Sequence, residues 1–258
     1  MIKAIFFDVD GTLLSHTTST VPDSTRTALD KLSEKGIRRI VATGRSMMEL
    51  AILPVKDILF DGYVMMNGQL CLDAEKNILA ENPISGADKE WLLHLFTEKI
   101  IPLVLVEKER LYINFINEQV ETAQRAVSTP LPEIGTYTGN DIYLAAAFLE
   151  KKEEADFLHR LSGCRITRWN QYAVDIVADS GGKVAGIKEY LQACHIPQAQ
   201  TMAFGDGEND TEMLNFVQFG VAMGNAEDIV KQNADYVTDS VDDDGILNAL
   251  VALNILDA

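Results

Sequence analysis

A chain of 258 residues, 47% hydrophobic and 24% charged, can bury a large core as one big domain or two smaller ones. Its 22 Lys and Arg against 39 Asp and Glu leave a formal net charge of −17, which argues against recognition of nucleic acid or an anionic membrane through charge. No apolar run approaches the roughly 18 residues of a bilayer span, and Cys71, Cys164 and Cys194, odd in number and widely spaced, suggest neither a disulfide framework nor a zinc knuckle.

Residues 2–7 form an apolar run too short for a signal-peptide core, and its continuity fits a strand covered on both faces. With the cysteine pattern, this sets the expectation of a soluble protein of a reducing cytoplasm. After a glycine turn, a helix over 24–35 carries Ala28, Leu29 and Leu32 on one stripe and stops at Gly36. A strand over 39–42 ends in Thr43-Gly44-Arg45, and a short helix carries Met47, Leu50 and Ala51. A strand over 63–66 then meets Asn67-Gly68, the signal of a two-residue hairpin. Strands alternating with helices imply a parallel sheet with right-handed crossovers.

The pattern then changes. Helix 85–99, strands 103–106 and 111–116 about the charged turn 107–110, helix 118–127, strand 142–148, helix 152–161 and strands 165–168 and 173–177 give the order αββαβαββ. That order breaks the alternation, so the expectation is an α/β fold: a Rossmann-like parallel-sheet core over 1–83 and 180–258 with an α+β unit inserted over 84–179. Alternation resumes with a helix from Lys183 to about Cys194, strand 201–204, helix 210–215, strand 220–222, helix 227–232, strand 236–238 and helix 246–255. Asp242-Asp243-Asp244 reads as the solvated start of that last helix, where negative charge is favourable.

Four groups carry chemistry, each at a strand end or helix start. In Asp8-Val9-Asp10-Gly11-Thr12 two carboxylates share one face of the strand end, the end of a parallel sheet at which ligands bind. Like charges held that close call for a cation, and hard oxygen ligands favour magnesium or calcium. Thr43-Gly44-Arg45 offers a hydroxyl and backbone N–H groups to the same crevice. Lys183 follows Gly181-Gly182 at a helix start, where a cation opposes the dipole. Gly205-Asp206-Gly207-Glu208-Asn209-Asp210 again sets acids at a strand end. A nucleophile, a cation site, donors for equatorial oxygens and a proton carrier are the parts of phosphoryl transfer.

These residues, in this order along the whole chain, resemble the haloacid dehalogenase superfamily of phosphotransferases. Asp8 to Leu13 resembles its first motif, and Thr43, Lys183 and Gly205 to Asp210 resemble the second, third and fourth. The insert resembles a C2-type cap of the B subtype, and Ala42-Thr43-Gly44-Arg45 with Met66-Asn67-Gly68 resembles the Cof-type phosphatases. The resemblance implies Asp8 as nucleophile and Asp10 as the acid that protonates the leaving group, then as the base for water. It gives Thr43, Lys183 and the Gly44 N–H to the phosphoryl oxygens, and Asp8, Asp206 and the Asp10 carbonyl to Mg2+. Asn209 would contact phosphate or orient Lys183, and Asp210 would support the metal shell. Arg45, Asn67 and Asp175 are candidate substrate contacts. Two positions depart from the common pattern: Val184 follows Lys183 in place of glycine, and Gly207 stands where a bulkier residue is frequent.

The implied activity is magnesium-dependent hydrolysis of small phosphorylated metabolites, sugar phosphates among them. A phosphomutase of the same superfamily would exchange phosphate and release little of it. A non-hydrolytic signalling receiver domain also gathers aspartates, a threonine and a lysine around magnesium, but its phosphoacceptor lies mid-chain on a shorter domain with no room for the insert.

Overall fold

Burial of the first apolar run organises the chain. In β1 (Ala4–Phe7) every residue is buried, and the Phe7 ring stacks on Phe204 with centroids 5.3 Å apart. Burying such side chains contributes about 1.5–3 kcal/mol each. The computed structural model describes residues 1–126 and 129–257. These divide into two units: Met1–Arg45 with Glu49–Glu81 and the chain from Gly182 onward, and Ser46–Met48 with Asn82–Gly181.

After β1 come α1 (Asp23–Glu34), β2 (Arg38–Ala42), α2 (Met47–Leu50), β3 (Gly62–Met65), β4 (Leu70–Asp73) and β5 (Ile78–Glu81). The second unit runs α3 (Gly86–Thr97), β6 (Leu103–Val106), β7 (Leu111–Ile113), α4 (Glu118–Ala126), β8 (Leu144–Phe148), α5 (Glu154–Leu158), β9 (Cys164–Asn170) and β10 (Ala173–Ala178), which is αββαβαββ. The first unit resumes with α6 (Lys183–Ala193), β11 (Thr201–Gly205), α7 (Thr211–Phe216), β12 (Phe219–Ala222), α8 (Asp228–Lys231), β13 (Tyr236–Val237) and α9 (Gly245–Ala252).

The fold is α/β. Among the described residues one sheet has the order β13-β12-β11-β1-β2-β3-β4-β5, parallel except for the antiparallel β4 and β5. β1 lies between β11 and β2, with Phe6 level with Ala203 and Ile40. The other sheet, β7-β6-β8-β10-β9, is antiparallel throughout. One of its faces packs Leu103, Leu105, Ala145, Ala147, Val174 and Ile176 into a core with Leu92, Phe96 and Phe157.

Several local details differ from the sequence expectation. Asn67-Gly68 does join antiparallel strands, but Met65 pairs with Leu70, so the connection spans Met66 to Gln69, with Met66 (φ 50) and Asn67 (φ 54) left-handed. The β4–β5 hairpin is absent from that expectation. The helix over 152–161 is a 3-10 turn, Lys151–Glu153, followed by the short α5. Val127, the last residue given to helix 118–127, lies outside the described residues. The charged turn 107–110 does join β6 and β7, but its Glu107 is buried and accepts hydrogen bonds from Tyr112 Oη (2.6 Å), Thr138 Oγ1 (2.5 Å) and Asn140 Nδ2 (3.0 Å). The three aspartates before α9 are exposed, as expected, but one of them also has partners. Asp242 accepts from Ser15 Oγ at 2.5 Å and Thr17 Oγ1 at 2.9 Å, which ties the loop after β1 to the loop before α9.

Candidate active site

β1 ends one residue before Asp8, whose N–H still reaches Phe204 O at 3.0 Å, so its side chain leaves from the carboxyl end of a central strand. The chain then turns tightly, since the Val9 carbonyl accepts from the N–H groups of Leu13 (3.0 Å) and Leu14 (2.8 Å). Gly11 makes that turn with φ +78, and a Cβ there would lie 2.1 Å from Asp206 Oδ2. Glycine therefore serves both the backbone and the carboxylate packed on it.

Lys183, the first residue of α6, is only 3% exposed. Its ammonium donates to Asp8 Oδ1 at 2.6 Å, across 175 residues of sequence, and to Asp210 Oδ1 at 2.5 Å. Burial alone would draw the lysine pKa down; Asp210 and Asp8 outweigh it and hold the pKa above its ordinary value, so the group stays charged. Burial, and then repulsion from Asp210, push the Asp8 carboxyl well above the usual range, with Lys183 working against them. Asp210 is fully buried, and its Oδ2 accepts from the N–H groups of Asp206 (3.1 Å) and Gly207 (3.0 Å). One carboxylate thus folds the turn after β11 and clamps the lysine.

Asp206 follows β11. Its Oδ1 accepts from Thr12 Oγ1 at 2.8 Å and its Oδ2 from Asn225 Nδ2 at 3.2 Å. Burial pushes its pKa up to about 6, against the Thr12 hydrogen bond. Oxygens of Asp8, Asp206 and Asp210 lie within 4.8 Å of one another. Three carboxylates facing the one ammonium of Lys183 leave a local excess of two negative charges. Hard oxygens with that excess suit a divalent cation such as magnesium.

The loops after β2 and β3 are joined. Thr43, buried, donates its N–H to Val64 O (2.9 Å) and accepts at its own carbonyl from Asn67 N (3.0 Å), while Met66 N donates to Arg45 O (3.1 Å). The Thr43 hydroxyl oxygen accepts from Arg45 N at 3.2 Å, and Gly44 lies against the Asn67 amide. Asn67 Oδ1 is buried without a hydrogen-bond partner among the described residues. Arg45 donates from Nε to Asp10 Oδ2 at 2.6 Å and from Nη2 to Asp10 Oδ1 at 2.8 Å, with Glu49 3.7 Å from Nη1. The Asp10 carboxylate is therefore engaged by arginine.

The structure brings Asp8, Lys183, Asp206 and Asp210 together, sets Arg45 on Asp10, and joins Thr43 and Gly44 to Asn67. Asn209 is exposed beside Gly207, and Asp210 rather than Asn209 holds Lys183. Asp175, in β10 of the second unit, accepts from Trp169 Nε1 at 2.9 Å. Thr12 and Asn225, both hydrogen-bonded to Asp206, are given no role by the sequence. Thr12 sits inside the Asp8 motif, and Asn225 sits in a Gly-Asn turn that reads as a connection.

Residues 5–250 match the haloacid dehalogenase-like hydrolase family. The chain is 31% identical over 258 residues to the YkrA protein of Bacillus subtilis (strain 168), which is named provisionally as a phosphatase, with 98% of each chain covered. BT1666 from Bacteroides thetaiotaomicron, described among phosphatases of the haloalkanoate (HAD) superfamily, superposes with a TM-score of 0.89 at 30% identity, over 99% of this chain and 96% of that one. BT4131, described as a HAD subclass IIB sugar phosphatase, gives 0.83 at 32% identity, over 98% and 100%. A match that runs from the first strand into the last helix leaves no other large part of the chain to account for, and the protein belongs to the haloacid dehalogenase-like hydrolase family.

Proposed function

We propose that this hydrolase is a magnesium-dependent phosphatase of small phosphorylated metabolites, sugar phosphates among them, working through a phosphoaspartate on Asp8. The observation that carries the reading is the buried Lys183–Asp8 pair at 2.6 Å beside the Asp206 and Asp210 carboxylates. It supplies a nucleophile, a fixed cation and an excess of negative charge in one place. Likeness to BT4131 supports the sugar phosphates, and three unpaired thiols fit a reducing cytoplasm. Residues 84–179 take the role of an inserted C2-type cap in a core of 1–83 and 180–258, with Asp175 as the cap's candidate substrate contact.

Asp8, Asp206 and the Asp10 carbonyl would hold Mg2+, with Asp210 behind them. When bound, the ion offsets repulsion between an anionic nucleophile and an anionic phosphate. An Asp8 carboxylate oxygen attacks phosphorus while the bond from phosphorus to the ester oxygen breaks; the leaving oxygen takes a proton from Asp10, and an acyl phosphate remains on Asp8. Lys183, the Thr43 hydroxyl and the Gly44 N–H bear the charge on the phosphoryl oxygens, with Asn209 at the rim. A water then attacks the same phosphorus and gives its proton to Asp10 as the bond to Asp8 breaks, releasing inorganic phosphate. Arg45 and Asn67, the latter with its buried carbonyl oxygen, would meet the leaving group.

A screen of phosphorylated metabolites with Mg2+, scored by phosphate release, tests the reading. Release that disappears in Asp8→Asn is expected. Release surviving that substitution rejects the covalent step, and phosphate exchange without release replaces the phosphatase by a phosphomutase.

A further inference from the structure

The Asn225 side chain joins three distant segments. Its Nδ2 donates to Gly11 O at 2.9 Å and to Asp206 Oδ2 at 3.2 Å, and its Oδ1 accepts from Val241 N at 2.9 Å. Both amide hydrogens and the carbonyl are used, and the pattern fixes the amide's orientation: a flip would set N–H against N–H at Val241 and oxygen against oxygen at Gly11 and Asp206. Asp206 is thereby held from three sides. Thr12 Oγ1 donates to its Oδ1, Asn225 donates to its Oδ2, and the bare Cα of Gly11 makes room for the group. Both donors are neutral. They orient the carboxylate without cancelling its charge, which is what a partner of a cation ligand must do.

We propose that Asn225 is a positioning residue for the cation site, aiming the Asp206 carboxylate at the oxygens of Asp8. This rests on the reading of Asp206 as a magnesium ligand. A carboxylate free to rotate about its last bond loses rotational freedom when it binds an ion, and two fixed donors remove that loss beforehand. The competing role is a tether between the loop after β1 and the loop before α9. Ser15 and Asp242 already make such a tether, at 2.5 Å, without touching Asp206.

Those two contacts separate the roles. Mg2+ binding is measured by calorimetry on substrate-free protein for the wild type, Asn225→Ala, Asn225→Ser, Asp242→Ala and Asp206→Asn, with folding checked by circular dichroism. The expected result is a dissociation constant raised about 10- to 100-fold in Asn225→Ala or Asn225→Ser. Asp242→Ala, which removes both acceptors of the Ser15 and Thr17 hydroxyls and so cuts the tether alone, is expected to stay within about twofold of wild type. In the Asp206→Asn background, adding Asn225→Ala is expected to change nothing further. In steady state, the loss in Asn225→Ala should appear in the Mg2+ activation constant and be recovered at saturating Mg2+. Unchanged Mg2+ affinity in a folded Asn225 variant overturns the proposal, as does equal weakening in Asp242→Ala. Wild-type protein that binds no Mg2+, or Asp206→Asn that binds it normally, overturns the metal assignment itself and the proposal with it.

Discussion

Arg45 closes on Asp10 through two guanidinium nitrogens, Nε to Oδ2 at 2.6 Å and Nη2 to Oδ1 at 2.8 Å, across 35 residues of sequence. The side chains are 23% and 29% exposed, so the pair is partly solvated. Partly solvated pairs contribute little to stability, about 1 kcal/mol or less, whereas a planar two-point grip fixes orientation strongly. Arg45→Ala should therefore shift the urea midpoint only slightly while lowering kcat more than about tenfold, because proton transfer depends on placement. Arg45→Lys, which keeps the charge and loses the fork, should recover less than half of the lost activity on a logarithmic scale. Wild-type kcat in Arg45→Ala would remove Arg45 from the mechanism.

The Lys183 ammonium is buried between Asp8 and Asp210, so its removal strands two carboxylates. Lys183→Met should cost about 3–5 kcal/mol in denaturant titrations near neutral pH, the usual penalty of breaking a buried pair. Protonation of Asp8, whose carboxyl burial already holds well above the usual range, relieves part of that stranded charge. The gap to wild type should therefore narrow as pH falls from 8 toward 5. A gap that widens in acid would point to a different origin for the loss.

How much of this site the sequence displays depends on how local each relation is. Asp8, Lys183 and Asp206 sit at strand ends and a helix start, and alternation of strands and helices predicts that such ends converge. Asp210 is harder, since one of its oxygens does what any capping aspartate does, to the N–H groups of Asp206 and Gly207, and only the fold shows that the other holds Lys183. The Arg45–Asp10 and Asn225–Asp206 contacts depend on side-chain rotamers in segments far apart in sequence, which no periodicity encodes. The β4–β5 hairpin escapes for another reason: Leu70, Cys71 and Leu72 are all buried, so the four-residue β4 shows no alternation of apolar and polar positions.

Asp206 links the site to pH. Its pKa, raised to about 6 from the ordinary 3.8, means that the folded chain holds this proton more readily than the unfolded chain does. The group's contribution therefore opposes folding above about pH 6 and fades as pH falls from there toward 3.8. In metal-free protein, Asp206→Asn should raise Tm at pH 7.5, and the gain should shrink by pH 5. Added Mg2+ should raise the wild-type Tm and leave that of the variant nearly unchanged, since a ligand stabilises only the state it binds. Equal responses of the two proteins to Mg2+ would exclude Asp206 as a ligand.

Gly68 fixes where Lys183 begins its helix. Its φ is +85, and a Cβ on it would lie 2.0 Å from the carbonyl oxygen of Gly182, the residue that precedes Lys183. That obstacle is backbone and cannot rotate away, and a Cβ on Gly186, in the next turn of α6, would lie 2.7 Å from the Gly68 Cα. Gly68→Ala must therefore displace the start of α6, which carries Lys183, or the loop after β3, which carries Asn67. The left-handed conformation alone costs about 1–2 kcal/mol for a residue with a Cβ, and the clash adds to it. The expected outcome is a loss above about 2 kcal/mol in urea titrations, together with a fall in kcat that persists under conditions where the variant is fully folded. The second half is the decisive one. A fully folded Gly68→Ala with wild-type kcat would mean that Lys183 reaches Asp8 without the tight seat that Gly68 provides.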